Sequence, residues 1–347
     1  MSLDTIPEAR RQIEICNACR YCEGYCAVFP AITRQKAFAD GDITQLANLC
    51  HNCRGCYYAC QYTEPHEFAL NLPRALAEVR TESWEDFAVP APLARVFQRH
   101  GVALAGLLVL AVAVMVLLAR GGGRTFYDVI PHGVLVAIFL PAFLAPLAVI
   151  GVSLRRYWRK VGGGPVRLAH VVSAARSAGR MRNLDGGQGQ GCNFEKEERF
   201  SNARRAMHQA VMWGFLLCFA STLSGTVLHY LGWPAPYGPF SVPKLFGVPG
   251  GLLLTLGAVG LAALKPKGDR GLGDPAVWGG EMAFVLLLAL TGGSGLLLYA
   301  VTGTGLVAPV FALHLGAVMT LFLLMPYSKM VHGFFRFAAL VRDAQGR

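Results

Sequence analysis

The chain has 347 residues, 54% of them hydrophobic and 15% charged, with a net charge of +11, a composition that excludes an ordinary soluble domain. Ten cysteines, eight of them between residues 16 and 60, exclude a disulfide scaffold. Nucleic acid is excluded as a partner too: residues 1–88 carry eight Lys/Arg against twelve Asp/Glu, residues 89–347 carry twenty-four against nine, and no basic stripe is interleaved with aromatics.

The start, MSLDTIPEARRQ, is polar and has no apolar h-region, so no cleavable secretory signal is expected. Two cysteine runs of identical spacing follow: Cys16, Cys19, Cys22 and Cys26, then Cys50, Cys53, Cys56 and Cys60. Each reads C-x2-C-x2-C-x3-C, the spacing in which three thiolates hold one iron–sulfur cube and the fourth reaches the other cube. The spacing therefore predicts one [4Fe–4S] cluster on Cys16, Cys19, Cys22 and Cys60, and a second on Cys50, Cys53, Cys56 and Cys26. Structural zinc uses two separated C-x2-C pairs, not four cysteines within eleven residues. The proline usual after the fourth cysteine is replaced by Ala27 and Gln61. Cluster thiolates require a reducing compartment. Helix formers and a DGD turn between the runs, and a short helix over 70–80, make residues 1–88 a compact, α-helical, ferredoxin-like domain. A proline-containing linker, 89–100, follows.

Six apolar spans come next, at 101–119, 131–153, 209–231, 249–264, 279–300 and 306–327, each near the ~20 residues that cross a bilayer. The expected fold is all-α: the two-cluster domain followed by a six-helix membrane bundle over 101–335, with a tail at 336–347. Loop 155–206 holds twelve Lys/Arg, 265–270 three and the stretch from Lys329 to the end four, whereas the opposite loops hold only Arg120, Arg124 and Lys244. The positive-inside rule places both termini and the clusters in the cytoplasm, as expected in a bacterial inner membrane. Within the long loop, PVRLAHVVSAARSAGRMR has one apolar and one basic face, which suits an interfacial helix. The GGQGQGC segment after it either cradles the cluster domain or is a solvated connector.

Ionisable residues inside spans are costly and mark function. His208 and His229 bracket the third span, ~31 Å apart along a helix; His314 and His332 are eighteen residues apart, ~27 Å if the last helix continues. Two histidines at each depth suit two bis-histidine b-type haems stacked across the membrane, His208 with His332 on the inner side and His229 with His314 on the outer. His132 competes with His229 as outer ligand or belongs to a quinone pocket, and His229, before Tyr230 and Trp233, has an interfacial alternative. Glu281 is either a proton carrier or a hydrated interfacial carboxylate. Cys218 reads as a packing residue and Cys192 as a free thiol. No Gly-rich dinucleotide fingerprint or flavin-sized soluble region is present, so electrons come from a separate protein.

The last span, LHLGAVMTLFLLMPYSKMVHGFF (313–335), resembles the final helix of the respiratory nitrate reductase gamma subunit, whose two haem-ligating histidines match His314 and His332. The paired cysteine runs, GRMRNLDGGQGQGCNF, RRAMHQAVMWGFLLCFAST and the six-span layout resemble, over essentially the whole chain, the tricarballylate-utilization protein B family, also called TcuB or CitB. That resemblance implies two [4Fe–4S] clusters, haem, and a partner flavoprotein, the FAD-dependent tricarballylate dehydrogenase, reoxidised toward the quinone pool. A related arrangement serves a flavoprotein of cobalamin ring contraction. A reading of another class is a membrane-anchored redox sensor whose clusters signal without carrying flux.

Overall fold

The computed structural model describes residues 5–122, 126–233 and 235–346; Arg124 and Arg347, counted among the loop and tail charges, lie outside them. Among the described residues the regular structure is helix, with one isolated antiparallel bridge between Cys192 and Ser201. The first segment holds α1 (Thr5–Cys19), α2 (Val28–Thr33), α3 (Asp40–Leu49), α4 (Gly55–Tyr58) and α5 (Leu72–Phe87). The DGD expected as a turn is the first turn of α3. There Asp42 accepts from the Ala39 N–H at 3.0 Å, and the acidic residues meet the positive end of the helix. Asn71 caps α5 by accepting from the Arg74 N–H at 3.2 Å.

Six helices are long and apolar enough to cross a membrane, the architecture of a multi-pass membrane protein. They are α6 (Ala91–Ala119), α8 (His132–Lys160), α10 (Ala203–Tyr230), α11 (Val242–Leu264), α12 (Trp278–Val301) and α13 (Val307–Leu324); between them lie α7 (Phe126–Val129) and the amphipathic α9 (Leu168–Arg180). Three of the differences from the sequence reading bear on the site. Residues 91–100 of the expected linker form the head of α6, because a proline in a helix's first turn has no N–H to waste; the break comes only at His100. The fourth span begins at Val242, seven residues before Pro249, which the helix carries inside it. The last span does not run on to His332. It ends at Leu324, and a turn through Pro326, which has no N–H to extend the helix ladder, leads into α14 (Val331–Gln345). His314 and His332 therefore lie on different helices.

Helices α10 and α11 pack through glycines. A Cβ on Gly214 would fall 2.4 Å from the Leu254 nitrogen, and one on Gly257 2.8 Å from the Met207 carbonyl oxygen, so only small residues allow this approach. The core of the first segment is shared. Ile13, Ile32, Leu46 and Leu76 pack with Tyr157 at the end of α8, Ala174 of α9, and Phe335, Ala339 and Leu340 of α14. Segment 336–347, read as a tail, is thus largely a helix built into that core. Asp343 at its far end pairs with Arg34.

Candidate redox site

The turns after α1 and α3 wind the cysteines around two adjoining cavities. The first, about 230 Å³, is lined by Cys16, Cys19, Cys22 and Cys60, with Cys56 also at its wall. The second, about 20 Å³, is lined by Cys26, Cys50, Cys53 and Cys56. Each run thus sends its last cysteine to the other run's cavity. Among the described residues no three His, Cys, Asp or Glu side chains close around a point for a single ion; the thiols are spread around the cavities instead.

Their electrostatics fit a cluster. Burial, then the Cys22, Cys60 and Cys19 thiols, pushes Cys16 up to about 12, and burial also takes Cys22 to about 12 and Cys53 to about 11. Cys26 and Cys56 are raised well above the ordinary value, by burial first and next by Cys53 and Cys50. Left to themselves such thiols stay protonated at neutral pH; a positive metal core among them would hold them as thiolates. The Asn52 N–H donates to Cys50 Sγ and the Tyr62 N–H to Cys60 Sγ, both at 3.4 Å, bonds that tune a cluster's potential.

The glycine segment cradles these loops. Asn183 Oδ1 accepts from the Ala27 N–H at 3.1 Å, and the Asn193 N–H donates to the Cys53 carbonyl at 2.9 Å. Gly187, at φ +93°, passes so close to the first run that a Cβ would sit 2.6 Å from the Gly24 carbonyl oxygen. Cys192 is fully buried beside Cys53, Met181 and Leu184.

Arginines from distant helices close the second loop. Arg80 donates to the carbonyls of Ala47 (3.2 Å) and Cys50 (3.0 Å), Arg336 to Cys50 (2.7 Å) and Arg204 to Asn52 (2.6 Å). Arg54 and Arg204 both lie 4.3 Å from the Phe194 ring centre. Burial, then neighbouring Arg204, pulls Arg54 down to about 10.

The structure brings His208 of α10 and His332 of α14 together, their ring centres 5.7 Å apart and their planes at 87°. Two imidazoles in line on one metal, with bonds of ~2.0 Å, put their ring centres ~6 Å apart. His332 Nδ1 donates to the Lys329 carbonyl, which leaves Nε2 as the free ligand atom. His208 Nδ1 is buried without a hydrogen-bond partner. Arg204 and Arg336 stand one helical turn from these two histidines, on the same helix faces.

The expected outer pair does not meet. His314 Nδ1 lies 3.0 Å from Ser294 Oγ, with its ring over Gly295, so the small residues of α12 take it in. His229 stacks instead on His132, ring centres 3.5 Å apart, edged by Tyr127; that is too close for a metal in line between them. Glu281 is bonded to both Lys265 and Lys329. Cys218 is half-buried against the core of the bundle.

Residues 91–347 match the family described as citrate utilization protein B, and residues 9–86 match that family's Fer4-like domain. The chain belongs to the citrate utilization protein B family. The citrate utilization protein B of Escherichia coli is 42% identical over 352 residues, covering 98% of this chain and 93% of its own length. No solved structure matches. The first segment of this family member is accordingly an iron–sulfur-type domain on a multi-pass membrane protein.

Sequence reasoning missed the arginines. The available signal was the i, i+4 spacing of Arg204 to His208 and of His332 to Arg336, which stacks each pair on one helix face.

Proposed function

We propose that this protein carries electrons one at a time from the reduced FAD of a partner dehydrogenase to membrane quinone, through two [4Fe–4S] clusters and b-type haem. The two cysteine sets would hold the clusters, and His208 with His332 would hold a haem. The observation that carries the reading is the second cysteine loop tied, by Arg204 and Arg336, to the two helices that bring that histidine pair together. When bound, clusters and haem supply one-electron chemistry, which splits the pair held by a two-electron flavin. The chain's own part is to hold these carriers in sequence and to exclude water from the inner ones. The family's printed name and the resemblance to tricarballylate utilization favour a partner acting on a tricarboxylate. The distribution of Lys and Arg favours an inner membrane with both termini in the cytoplasm.

One experiment tests this. Anaerobic membranes containing the full chain are reduced with dithionite, freed of excess reductant, and followed at the haem absorption bands as a soluble quinone is added. Prompt haem reoxidation, slowed by a quinone analogue, is expected. Haem indifferent to quinone would favour the redox-sensor reading, and no haem in any preparation would end the haem part of the proposal.

A further inference from the structure

Four guanidinium groups lie in or bond to the second cysteine loop, and among the described residues no carboxylate pairs directly with any of them, Asp269 acting on Arg54 only from a distance. Arg80, Arg204 and Arg336 donate to backbone carbonyls of residues 47–52, and Arg54 donates to the side-chain oxygen of Asn52 at 3.2 Å. Arg54 and Arg80 are buried. Among the described residues none of the four has a carboxylate within ion-pair distance. Glu281, whose field reaches Arg336, is already bonded to two lysines. Enclosed cations bonded only to neutral carbonyls are costly unless an anion sits among them. Arg54 lines the cavity beneath this loop together with Cys26, Cys50, Cys53 and Cys56, whose sulfurs would be thiolates around a cluster, and the charges of Arg204 and Arg336 reach Cys53 and Cys50 from outside it. The first cavity is the opposite case: no Lys or Arg lines it.

We infer that Arg204 and Arg336 are positioning residues that hold the reduction potential of the second cluster above that of the first and seat it against His208 and His332. The inference rests on the two-cluster reading above. In the step concerned, the first cluster gives up one electron and is oxidised, and the second takes it and is reduced; the flavin of the partner dehydrogenase supplies the electron. The added electron makes the cysteine-bound core more negative, so a guanidinium held beside it stabilises the reduced form. These two arginines matter most because each shares a helix face with a histidine, so the loop they grip and the imidazoles move as one body.

The test is an EPR-monitored redox titration of the full chain, purified anaerobically in detergent, with Arg204→Gln and Arg336→Gln beside the parent. At a fixed potential, each Gln variant is expected to lower the reduced-to-oxidised ratio of the second cluster about tenfold, ~59 mV for a one-electron couple. The first cluster should stay unmoved. Arg204→Lys and Arg336→Lys, which keep the charge, should hold the parent ratio within about threefold, ~28 mV on the same scale. An unmoved second cluster in both Gln variants, or both clusters moving together, overturns the inference. Where a Gln variant retains no second cluster the Lys variants decide: the parent ratio supports the inference and a tenfold fall overturns it. Only about four cluster irons per parent chain would instead defeat the two-cluster reading itself.

Discussion

The two cysteine cavities grow from the same spacing and sit in opposite surroundings. The first opens outward: Cys19 is exposed, Tyr21 is 71% exposed, and Glu14 of α1 and Glu23, Glu64 and Glu67 of the loops are exposed. The second is the more covered, with Cys50 and Cys53 buried and their loop bonded by α14, the glycine segment and Arg204. Spacing sets how many thiolates a loop can present. Residues far away in the sequence set what each site is for. An open site suits exchange with a soluble protein, and a closed site beside paired histidines suits passage inward.

The largest expected effect comes from breaking the crossing of the two sets. Cys26→Ser should halve the cluster iron of the protein, from about eight to about four, by removing the second cluster although Cys26 belongs to the first run. EPR that instead finds the first-run cluster missing would undo the pairing. Next in size is the histidine pair. His208→Ala or His332→Ala removes a metal bond outright and should leave haem missing in a pyridine haemochrome assay. His314→Ala, which removes a ring held by Ser294 and Gly295, should keep the parent haem content. Loss of haem in His314→Ala or His229→Ala would restore the outer pair anticipated from the sequence, and loss in His132→Ala would move that ligand to α8.

A smaller effect is expected where the glycine segment bridges the cavities. Gly187→Ala meets both a left-handed φ and the Gly24 carbonyl oxygen, so it should cost upwards of ~1 kcal/mol and lower the thermal midpoint by a few degrees. Gly189→Ala, also at positive φ but in open space, should cost less; equal costs would mean that close approach is not what selects Gly187. The smallest effect concerns the open site. Glu64→Lys with Glu67→Lys should slow electron exchange with a basic redox protein such as cytochrome c several-fold at low salt and leave exchange at high salt little changed. Equal slowing at both salts would show damage to the loop, not lost steering.

The helical fold and the six apolar helices were legible because a membrane helix must satisfy its own backbone, so composition alone marks it. The spacing of the cysteines anticipated which thiols line each cavity, apart from Cys56, which reaches both. The spacing could not tell that Pro326 would divide the last helix into two useful pieces. A straight helix would have carried His332 away along the axis of α13; the turn lets α14 bring it to His208. Nor was the partner of His314 legible: a ring settling against Ser294 and Gly295 depends on how α12 and α13 meet, which no periodicity in either strand of sequence reports.

One consequence of the shared core concerns the order of synthesis. Domains of a growing chain usually fold as they emerge, the N-terminal one first. Here Phe335 and Ala339 are fully buried among residues of the first segment, so that segment cannot complete its interior until every membrane helix has been made. The cysteine loops therefore lack part of their cover until α14 has been made.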